Sequence, residues 1–227
     1  MITSRDNDTL KLVRKLLGGK KHRDETGLFA AEGEDLVTAA RTAGIRPVHL
    51  LVAGETVETE LMATVSTLPH PARELGVYRI ADLPGAPRPI ALGLWRLVDP
   101  GNVGTLIRTA DAFGAFVALS EGCADPFSPK AVRASVGAIF RVPLIAWDEL
   151  PTPRIALDAH AGVDIREAEL PASLSLLLGA EREGLPEEVA AVCEARVTIS
   201  LPGAAESLNV AAAGAVALFA ATSRRPS

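Results

Sequence analysis

Short apolar runs alternate with stretches of helical spacing along most of the chain. After residue 90, six runs rich in apolar residues predict buried strands, at 91–98, 116–119, 142–146, 154–158, 174–178 and 196–199. Apolar residues with helical spacing predict helices between and after them, at 103–113, 129–136, 187–194 and 208–222. Strands that alternate with helices imply a parallel sheet, so residues 91–227 are predicted to form an α/β domain.

The first 81 residues show the same alternation less regularly. Strands are predicted at 28–31, 48–53 and 77–80, and helices at 8–17, 34–43 and 58–68. Asp8 is the candidate N-cap of the first helix, which Gly18 ends. Residues 82–90 contain three prolines and a glycine, a composition that disfavours both helix and central strand. We therefore predict a small α/β domain over 1–81 and a linker over 82–90.

Composition and charge narrow the class of protein. Hydrophobic residues make up 48% of the chain, whereas the net charge of −5 argues against nucleic-acid binding over the whole surface. A local basic patch is compatible with that charge. Cys123 and Cys193 have no second cysteine or histidine at metal-ligand spacing, so we expect reduced thiols and no metal site. The polar N-terminus and the lack of an apolar run of about 20 residues predict a cytoplasmic protein without a membrane segment.

Three polar segments, 99–114, 178–186 and 199–210, each follow a predicted strand and lead into a predicted helix. Ligands of open α/β sheets bind beyond the carboxyl ends of the strands, so the three segments are predicted to form one site. No Gly-x-Gly-x-x-Gly follows a strand and the sequence contains no Walker A loop. A nucleoside cofactor would therefore have to be bound by loops other than these two glycine-rich motifs.

Four side chains in these segments are candidates for chemistry, and each has a plain alternative. Arg108 suits a phosphate through its planar fork, but Asp111 three residues later is an alternative partner for it. Glu181 lies between glycines, although a solvated turn is the commoner fate of a charged run. Ser207 has the position of an N-cap or a first-turn residue of the last helix. Asn209 lies inside that predicted helix, where asparagine is unfavourable, so we expect it to bond a loop or a ligand.

Together the three segments resemble the motifs of the SpoU (TrmH-like) RNA 2′-O-ribose methyltransferases, a family of the knotted SPOUT class. The resemblance implies a parallel-sheet domain with a trefoil knot, preceded by a ribosomal-protein-like RNA-binding domain. It also implies S-adenosyl-L-methionine as methyl donor, a homodimer, and structured RNA, above all ribosomal RNA, as substrate. The helix predicted at 208–222 is apolar on nearly every face, which requires burial inside the domain or across a subunit boundary. The resemblance favours the boundary.

The resemblance also assigns roles to individual residues. The catalytic group that it implies comprises Asn102, Arg108, Glu181, Ser207 and Asn209. The cofactor group that it implies comprises Leu178, Gly179, Gly184, Ile199, Leu201, Leu208 and Asn209. Within that group, the backbone at Leu201 and Leu208 is expected to hold the adenine.

Proton removal from the ribose hydroxyl needs an acceptor. The four histidines lie outside the three segments, so none is expected to be the base. Family proposals make the arginine the base, but a guanidinium stays protonated at ordinary pH. We therefore expect Arg108 to hold an RNA phosphate or the developing alkoxide, while the proton leaves to solvent or to a phosphate oxygen.

Residues 11–23 form the one concentrated basic stretch of the sequence. On composition alone, this stretch is typical of an amphipathic helix with a solvated basic face. Together with residues 24–36 it resembles the SpoU substrate-binding domain. That resemblance implies RNA phosphate contacts by Lys20, Lys21, His22 and Arg23.

Two other functions stay open at the level of sequence. One is a non-catalytic RNA-binding protein that has kept the fold, which failure to bind S-adenosylmethionine in calorimetry would favour. The other is a methyltransferase that acts on a tRNA, or on a base rather than a ribose. Mapping of the methylated nucleotide separates this alternative from ribosomal RNA 2′-O-methylation.

Overall fold

The computed structural model describes residues 1–223, which form two compact units. Unit 1 comprises Met1–Leu83 and Asp125–Arg141, and unit 2 comprises Pro84–Ala124 and the chain from Val142 onward. The sequence-based division instead put Asp125–Arg141 with the C-terminal domain. That segment packs within unit 1, so the first unit is built from two separate stretches of chain. The predicted domain end at residue 227 lies outside the described residues.

Every predicted helix and strand corresponds to an element of the structure. The helices of the described chain are α1 (Asp8–Gly18), α2 (Lys20–Thr26), α3 (Glu34–Thr42), α4 (Thr59–Val65), α5 (Pro100–Ala112), α6 (Pro129–Ala134), α7 (Glu187–Ala190) and α8 (Val210–Ser223). The strands are β1 (Leu28–Glu32), β2 (His49–Val52), β3 (Glu74–Arg79), β4 (Ile90–Leu94), β5 (Phe116–Leu119), β6 (Leu144–Ala146), β7 (Arg154–Leu157), β8 (Val163–Asp164), β9 (Leu174–Leu178) and β10 (Ala195–Thr198). Helix α2 and strand β8 are additional to the prediction.

Side-chain caps decide where two helices begin. The prediction that Asp8 caps α1 is wrong, because the Asn7 side chain accepts the hydrogen bond from the Thr9 N–H at 2.9 Å. The Asp99 carboxylate accepts hydrogen bonds from the backbone N–H groups of Gly101 at 2.5 Å and Asn102 at 3.1 Å. Helix α5 therefore begins with Pro100 at its first position, earlier than predicted.

Unit 1 contains a three-stranded antiparallel sheet in the order β1-β3-β2. Helix α1 turns its apolar side to this unit's core, where Leu10 and Val13 pack in one cluster with Met62 of α4 and Val77 of β3. A second group within the unit consists of four aromatic rings, with centroids 4.8–5.8 Å apart along the chain of contacts Phe127–Phe29–Phe140–Tyr78. Burial raises the pKa of the Tyr78 hydroxyl to about 12.

A buried ion pair ties the two stretches of unit 1 together. The Arg23 Nε donates to Asp125 Oδ2 at 2.7 Å, and both side chains are less than a tenth exposed. The Arg23 guanidinium also donates to the carbonyl oxygen of Leu16. The prediction that Arg23 contacts an RNA phosphate is therefore wrong, because its guanidinium is buried and already paired.

Unit 2 contains a seven-stranded parallel sheet in the order β6-β5-β4-β9-β7-β10-β8, which confirms the predicted parallel α/β fold. Helices α5 and α8 pack together on one face, where a Cβ atom on Gly214 would lie 2.4 Å from Leu106 and 3.2 Å from Leu178. The other face carries an apolar cluster that includes Leu177 and Val189 of α7. No helix in residues 1–223 has both the length and the apolar character needed to cross a membrane.

Removal of one partner of the buried pair leaves the other charge without compensation. We expect Asp125→Ala to lower the free energy of unfolding by about 3–5 kcal/mol, measured by urea unfolding followed by circular dichroism. The matched control is Arg73→Ala, which breaks the exposed pair of Arg73 with Glu55 and should cost less than about 1 kcal/mol. Equal, small decreases in the free energy of unfolding in both variants would show that the buried pair stabilises the fold no more than the exposed pair does.

Candidate active site

The three polar segments lie at the same edge of the sheet of unit 2. Strands β4 and β9 are neighbours, and β10 is separated from β9 only by β7. All these strands are parallel, so their carboxyl ends meet at one edge. The loops that begin at Trp95, Gly179 and Ile199 therefore emerge side by side, as the sequence predicts.

A cavity of about 800 Å³ lies at this edge. Every residue predicted to bind a cofactor lines it, namely Leu178, Gly179, Gly184, Ile199, Leu201, Leu208 and Asn209. Three residues of the predicted catalytic group also line it, namely Glu181, Ser207 and the shared Asn209, whereas Asn102 and Arg108 do not. The structure thus brings these nine residues together in one cavity, and their individual roles stay predictions.

A chain of side-chain hydrogen bonds joins the three loops. The Asn209 Nδ2 donates to Asn102 Oδ1 at 3.2 Å, and the Asn102 Nδ2 donates to Glu181 Oε1 at 3.1 Å. The backbone N–H of Asp99 also donates to Glu181 Oε1, at 3.4 Å. Each motif thus supplies one member of the chain, so the relative positions of the loops depend on all three side chains.

Asn209 has a second role that the sequence analysis missed. Its Oδ1 accepts a hydrogen bond from the Ala211 N–H at 2.9 Å, while its carbonyl accepts one from Ala213 at 2.9 Å. Asn209 is therefore the N-cap of α8, and the prediction that Ser207 caps this helix, with Asn209 inside it, is wrong. The amide group serves both purposes because its oxygen caps the helix while its nitrogen bonds Asn102.

Gly179 is needed where the motif loop folds back on itself. The loop turns through Gly184, whose N–H donates to the Ala180 carbonyl at 2.9 Å and whose φ is +67°. A Cβ atom on Gly179 would lie 2.0 Å from the carbonyl carbon of Gly184 and 2.1 Å from the Leu185 nitrogen. The backbone of the turn therefore occupies the space that a side chain would need.

The cavity includes a loop that sequence reasoning overlooked, residues 158–161 after β7. The Asp158 Oδ1 accepts hydrogen bonds from the N–H groups of His160 at 2.8 Å and Ala161 at 3.2 Å, which holds the loop in a tight turn. His160 thus lines the cavity although it lies outside the three motifs. The sequence does contain an indication of this loop's role, because the loop follows the carboxyl end of a predicted strand, where ligands of open α/β sheets bind.

An ion pair forms part of the cavity wall. The Arg196 Nη1 donates to Glu187 Oε2 at 2.9 Å, and the Nη2 of the same guanidinium donates to Oε1. This bidentate contact fastens α7 to β10, and hydrogen bonds from Arg196 hold the pKa of the Glu187 carboxyl below its usual range. The two residues both line the cavity, and each compensates the charge of the other.

Arg108 does not line the cavity. It lies on the exposed side of α5, six residues after Asn102 and therefore about 9 Å further along the helix axis. Its guanidinium forms no hydrogen bond or ion pair with another described residue, so the alternative pairing with Asp111 is not formed. Its predicted contact with RNA stays a prediction.

The predicted RNA contacts in unit 1 differ in how accessible they are. Lys20 and Lys21 lie exposed on α2, and the Lys21 Nζ is 3.8 Å from Glu25 Oε1. The His22 Nδ1 is 3.6 Å from the other oxygen of Glu25. Within residues 1–223, no group of three or more His, Cys, Asp or Glu side chains is placed to hold a metal ion.

Comparison with known sequences identifies relatives over the whole chain. The sequence profile of the SpoU rRNA Methylase family matches residues 89–219, and that of the MRM3-like substrate binding domain matches residues 7–76. The 23S rRNA (guanosine(2553)-2′-O)-methyltransferase RlmP of Bacillus subtilis is 31% identical over 243 residues. That match covers 96% of this chain and 97% of RlmP.

Solved structures show the same fold. The AdoMet-bound rRNA methyltransferase from Sinorhizobium meliloti superposes with a TM-score of 0.87 at 32% identity, covering 100% of this chain and 98% of that one. The SpoU methyltransferase AviRb from Streptomyces viridochromogenes, in complex with AdoMet, superposes with a TM-score of 0.83 at 25% identity. The second match covers 96% of this chain and 98% of AviRb.

The contact at Gly179 makes the shape of the cavity testable. We expect Gly179→Ala to push the turn at Gly184 and Leu185 away and to weaken binding of S-adenosylmethionine about tenfold or more, measured by calorimetry. Gly85→Ala is the control, because a Cβ atom at Gly85 meets nothing within 4 Å. Unchanged affinity in Gly179→Ala would mean that the turn does not shape the binding site.

Proposed function

This chain belongs to the SpoU rRNA methylase family, and we propose that it transfers a methyl group from S-adenosylmethionine to a ribose 2′-hydroxyl of ribosomal RNA. The observation that carries the proposal is the cavity at the sheet edge, which loops of the second and third motifs line and to which the first motif is joined by the hydrogen bonds of Asn102 with Glu181 and Asn209. A ribosomal RNA substrate implies a cytoplasmic location, which is part of the proposal.

The cavity fits a nucleoside ligand with a cationic centre. Its volume lies in the range of small-molecule sites, and Leu178, Ile199 and Leu201 supply apolar walls. The backbone groups of Leu201 and Leu208 form no hydrogen bond with another described residue, so they are available to the edge of an adenine. Carboxylates at the rim, among them Glu181, favour a positive charge. Bound S-adenosylmethionine supplies an electrophilic methyl group on its sulfonium.

The hydrogen-bonded chain positions the reacting groups. Asn102 is fixed from both sides, by Glu181 and by Asn209, so its amide cannot rotate without breaking a contact. Asn209 in turn fixes the start of α8 next to Leu208. Rigid placement of donor and acceptor is the main contribution that a protein makes to such a transfer. Ser207, at the cavity and without a hydrogen-bond partner among the described residues, is available to the ribose.

Arg108 lies outside the cavity, on the exposed side of α5, so in this proposal it contacts the RNA and not the cofactor. Its guanidinium is exposed and unpaired among the described residues, and its fork matches two oxygens of a phosphate. Because the guanidinium stays protonated, Arg108 holds the phosphate or the developing alkoxide and does not accept the proton. Solvent or a phosphate oxygen receives the proton.

Unit 1 binds the RNA in this proposal. The match of residues 7–76 to a substrate-binding profile supports this role, as do the exposed ammonium groups of Lys20 and Lys21 on α2. His22 joins them on the same short helix, whereas Arg23 holds the unit together instead. RNA affinity then depends on salt, because each neutralised phosphate releases counterions.

Assembly into a homodimer with a trefoil knot in unit 2 is the second part of the proposal. Helix α8 follows β10, yet it packs on α5 and β9, so the chain returns across the sheet after β10. In the proposed knot, the chain between β10 and α8 passes through an earlier loop of unit 2. The outer side of α8 still exposes Val216 by 39% and Phe219 by 62%, which suits an apolar contact with a second copy.

The fork of Arg108 provides a test of the reaction. We expect the wild type to methylate a 23S ribosomal RNA transcript with S-adenosylmethionine, and Arg108→Lys to lower kcat about tenfold or more while keeping cofactor affinity. The methylated nucleotide is mapped by mass spectrometry of nuclease fragments. Wild-type kcat in Arg108→Lys would exclude a geometric role for the guanidinium.

The same assay separates the alternative functions. Methylation of a tRNA transcript but not of ribosomal RNA, or methylation of a base, would replace the proposed substrate. A wild-type protein that binds RNA but not S-adenosylmethionine would be a non-catalytic relative. The first outcome would contradict the proposed substrate or the proposed methylated group, and the second would contradict catalysis itself.

The dimer is tested by placing a charge on the outer side of α8. We expect the wild type to sediment as a dimer at micromolar concentration and Phe219→Asp to shift it to a monomer with its secondary structure retained. Val192→Asp is the matched control, since Val192 is 67% exposed elsewhere in unit 2. A monomeric wild type, or a Phe219→Asp variant that stays dimeric, would contradict the proposed interface.

A further inference from the structure

Arg96 has a strained backbone two residues after the end of β4. Its φ is +50°, a left-handed conformation that side-chain-bearing residues rarely adopt. Glycine adopts this conformation without strain, so folding alone favours glycine at the position. Strained residues of this kind concentrate at binding and catalytic sites, where the surrounding structure holds them in place.

Three features of the surroundings accommodate Arg96. Its backbone N–H donates to Ser120 Oγ at 2.9 Å. Its guanidinium carbon lies 5.5 Å from the centre of the Trp95 ring, and that indole packs edge-on against Trp147 at 5.1 Å. Gly122 leaves room for the side-chain stem, because a Cβ atom there would lie 3.3 Å from Arg96 Cγ. The Trp95 ring therefore offers the guanidinium a stacking surface in the absence of a ligand.

The charge of Arg96 is not used within the described part of the chain. Arg96 is exposed and forms no ion pair with any residue in 1–223, although acidic residues outnumber basic ones by 28 to 23. One face of its guanidinium is covered by the Trp95 indole, which leaves the N–H edges for a ligand. Such an edge forms paired hydrogen bonds to the oxygens of a phosphate.

The position of Arg96 connects it with the cavity. The backbone N–H of Trp95 donates to the carbonyl of Leu178 at 2.8 Å, and Leu178 lines the cavity wall. Three residues after Arg96, Asp99 caps α5 and starts the segment that contains Asn102. Arg96 therefore stands beside the edge of the sheet where the reaction is proposed to occur.

We propose that Arg96, stacked on Trp95, binds a backbone phosphate of the RNA next to the methylated nucleotide. The contact holds the strand so that the ribose faces the cavity, and it makes Arg96 a substrate-binding residue distinct from Arg108. The proposal rests on the proposed function, because it assigns a further contact to the same RNA.

The test measures how RNA binding depends on salt. Affinity for an unmodified 23S ribosomal RNA transcript is determined over a range of KCl concentrations for the wild type, Arg96→Gln and Arg96→Gly. We expect both variants to bind about tenfold more weakly, and their log–log salt slopes to be smaller by about 0.7, the value for one phosphate contact on a single strand. Affinity for S-adenosylmethionine should not change, and Arg96→Gly should be at least as resistant to heat as the wild type because it relieves strain.

Further variants separate charge from geometry. Arg96→Lys should keep the salt slope but lose part of the affinity, since an ammonium carries the charge without the fork. Trp95→Phe should weaken binding less than Arg96→Gln, because phenylalanine retains a smaller stacking surface. Arg166→Gln is the control for a compensated charge: it removes an exposed arginine that is already paired with Asp164, beside β8 at the far edge of the sheet. We expect no change in its affinity or slope.

Two results would overturn the inference. One is a wild-type salt slope in both Arg96→Gln and Arg96→Gly. The other is a loss of RNA affinity that is matched by a loss of S-adenosylmethionine affinity, which would mean that Arg96 only supports the cavity. If the wild type methylates no RNA, the proposed function fails, yet the salt slopes still decide whether Arg96 meets a phosphate.

Discussion

Two side-chain hydrogen bonds, from Asn209 to Asn102 and from Asn102 to Glu181, connect loops that belong to three different places in the sequence. The parallel sheet brings the loops to one edge, but it does not determine how far apart their tips lie. The amide of Asn102 does this by donating to one loop and accepting from another. Because Asn209 also caps α8, the position of the last helix and the position of the motif loops are set by the same amide groups.

The arginines of this acidic chain divide into those that serve the fold and those left for a ligand. Arg23 is buried against Asp125 and holds together the two stretches of unit 1, while Arg196 fastens α7 to β10 through Glu187. Arg96 and Arg108 are exposed and have no ionic partner among the described residues. A net charge of −5 therefore says little about RNA binding, because the relevant quantity is the local charge that no carboxylate compensates.

The elements of the fold were accessible from sequence because their patterns are local. Apolar runs such as the leucine-rich segment 174–178 mark strands covered on both faces, and the loops after them carry the motif residues. The predictions of helix caps were wrong where a side-chain hydrogen bond decides at which residue the helix begins. Asn7 caps α1 in place of Asp8, and Asn209 caps α8 in place of Ser207, since neighbouring polar residues are equally good caps until one of them is placed.

The sequence by itself determined the alternation of strands and helices, the parallel sheet, and the two motif segments, 178–186 and 199–210, whose residues line much of the cavity. Only the tertiary structure decided that Asp125–Arg141 packs in unit 1, that Arg23 is buried, that the loop after β7 joins the cavity, and that Arg96 lies strained on Trp95. The physical reason is the range of the interactions. Hydrophobic periodicity is encoded in neighbouring residues, whereas the partner of a charge or an amide lies up to about a hundred residues away, as Asn102 does from Asn209 and Asp125 does from Arg23.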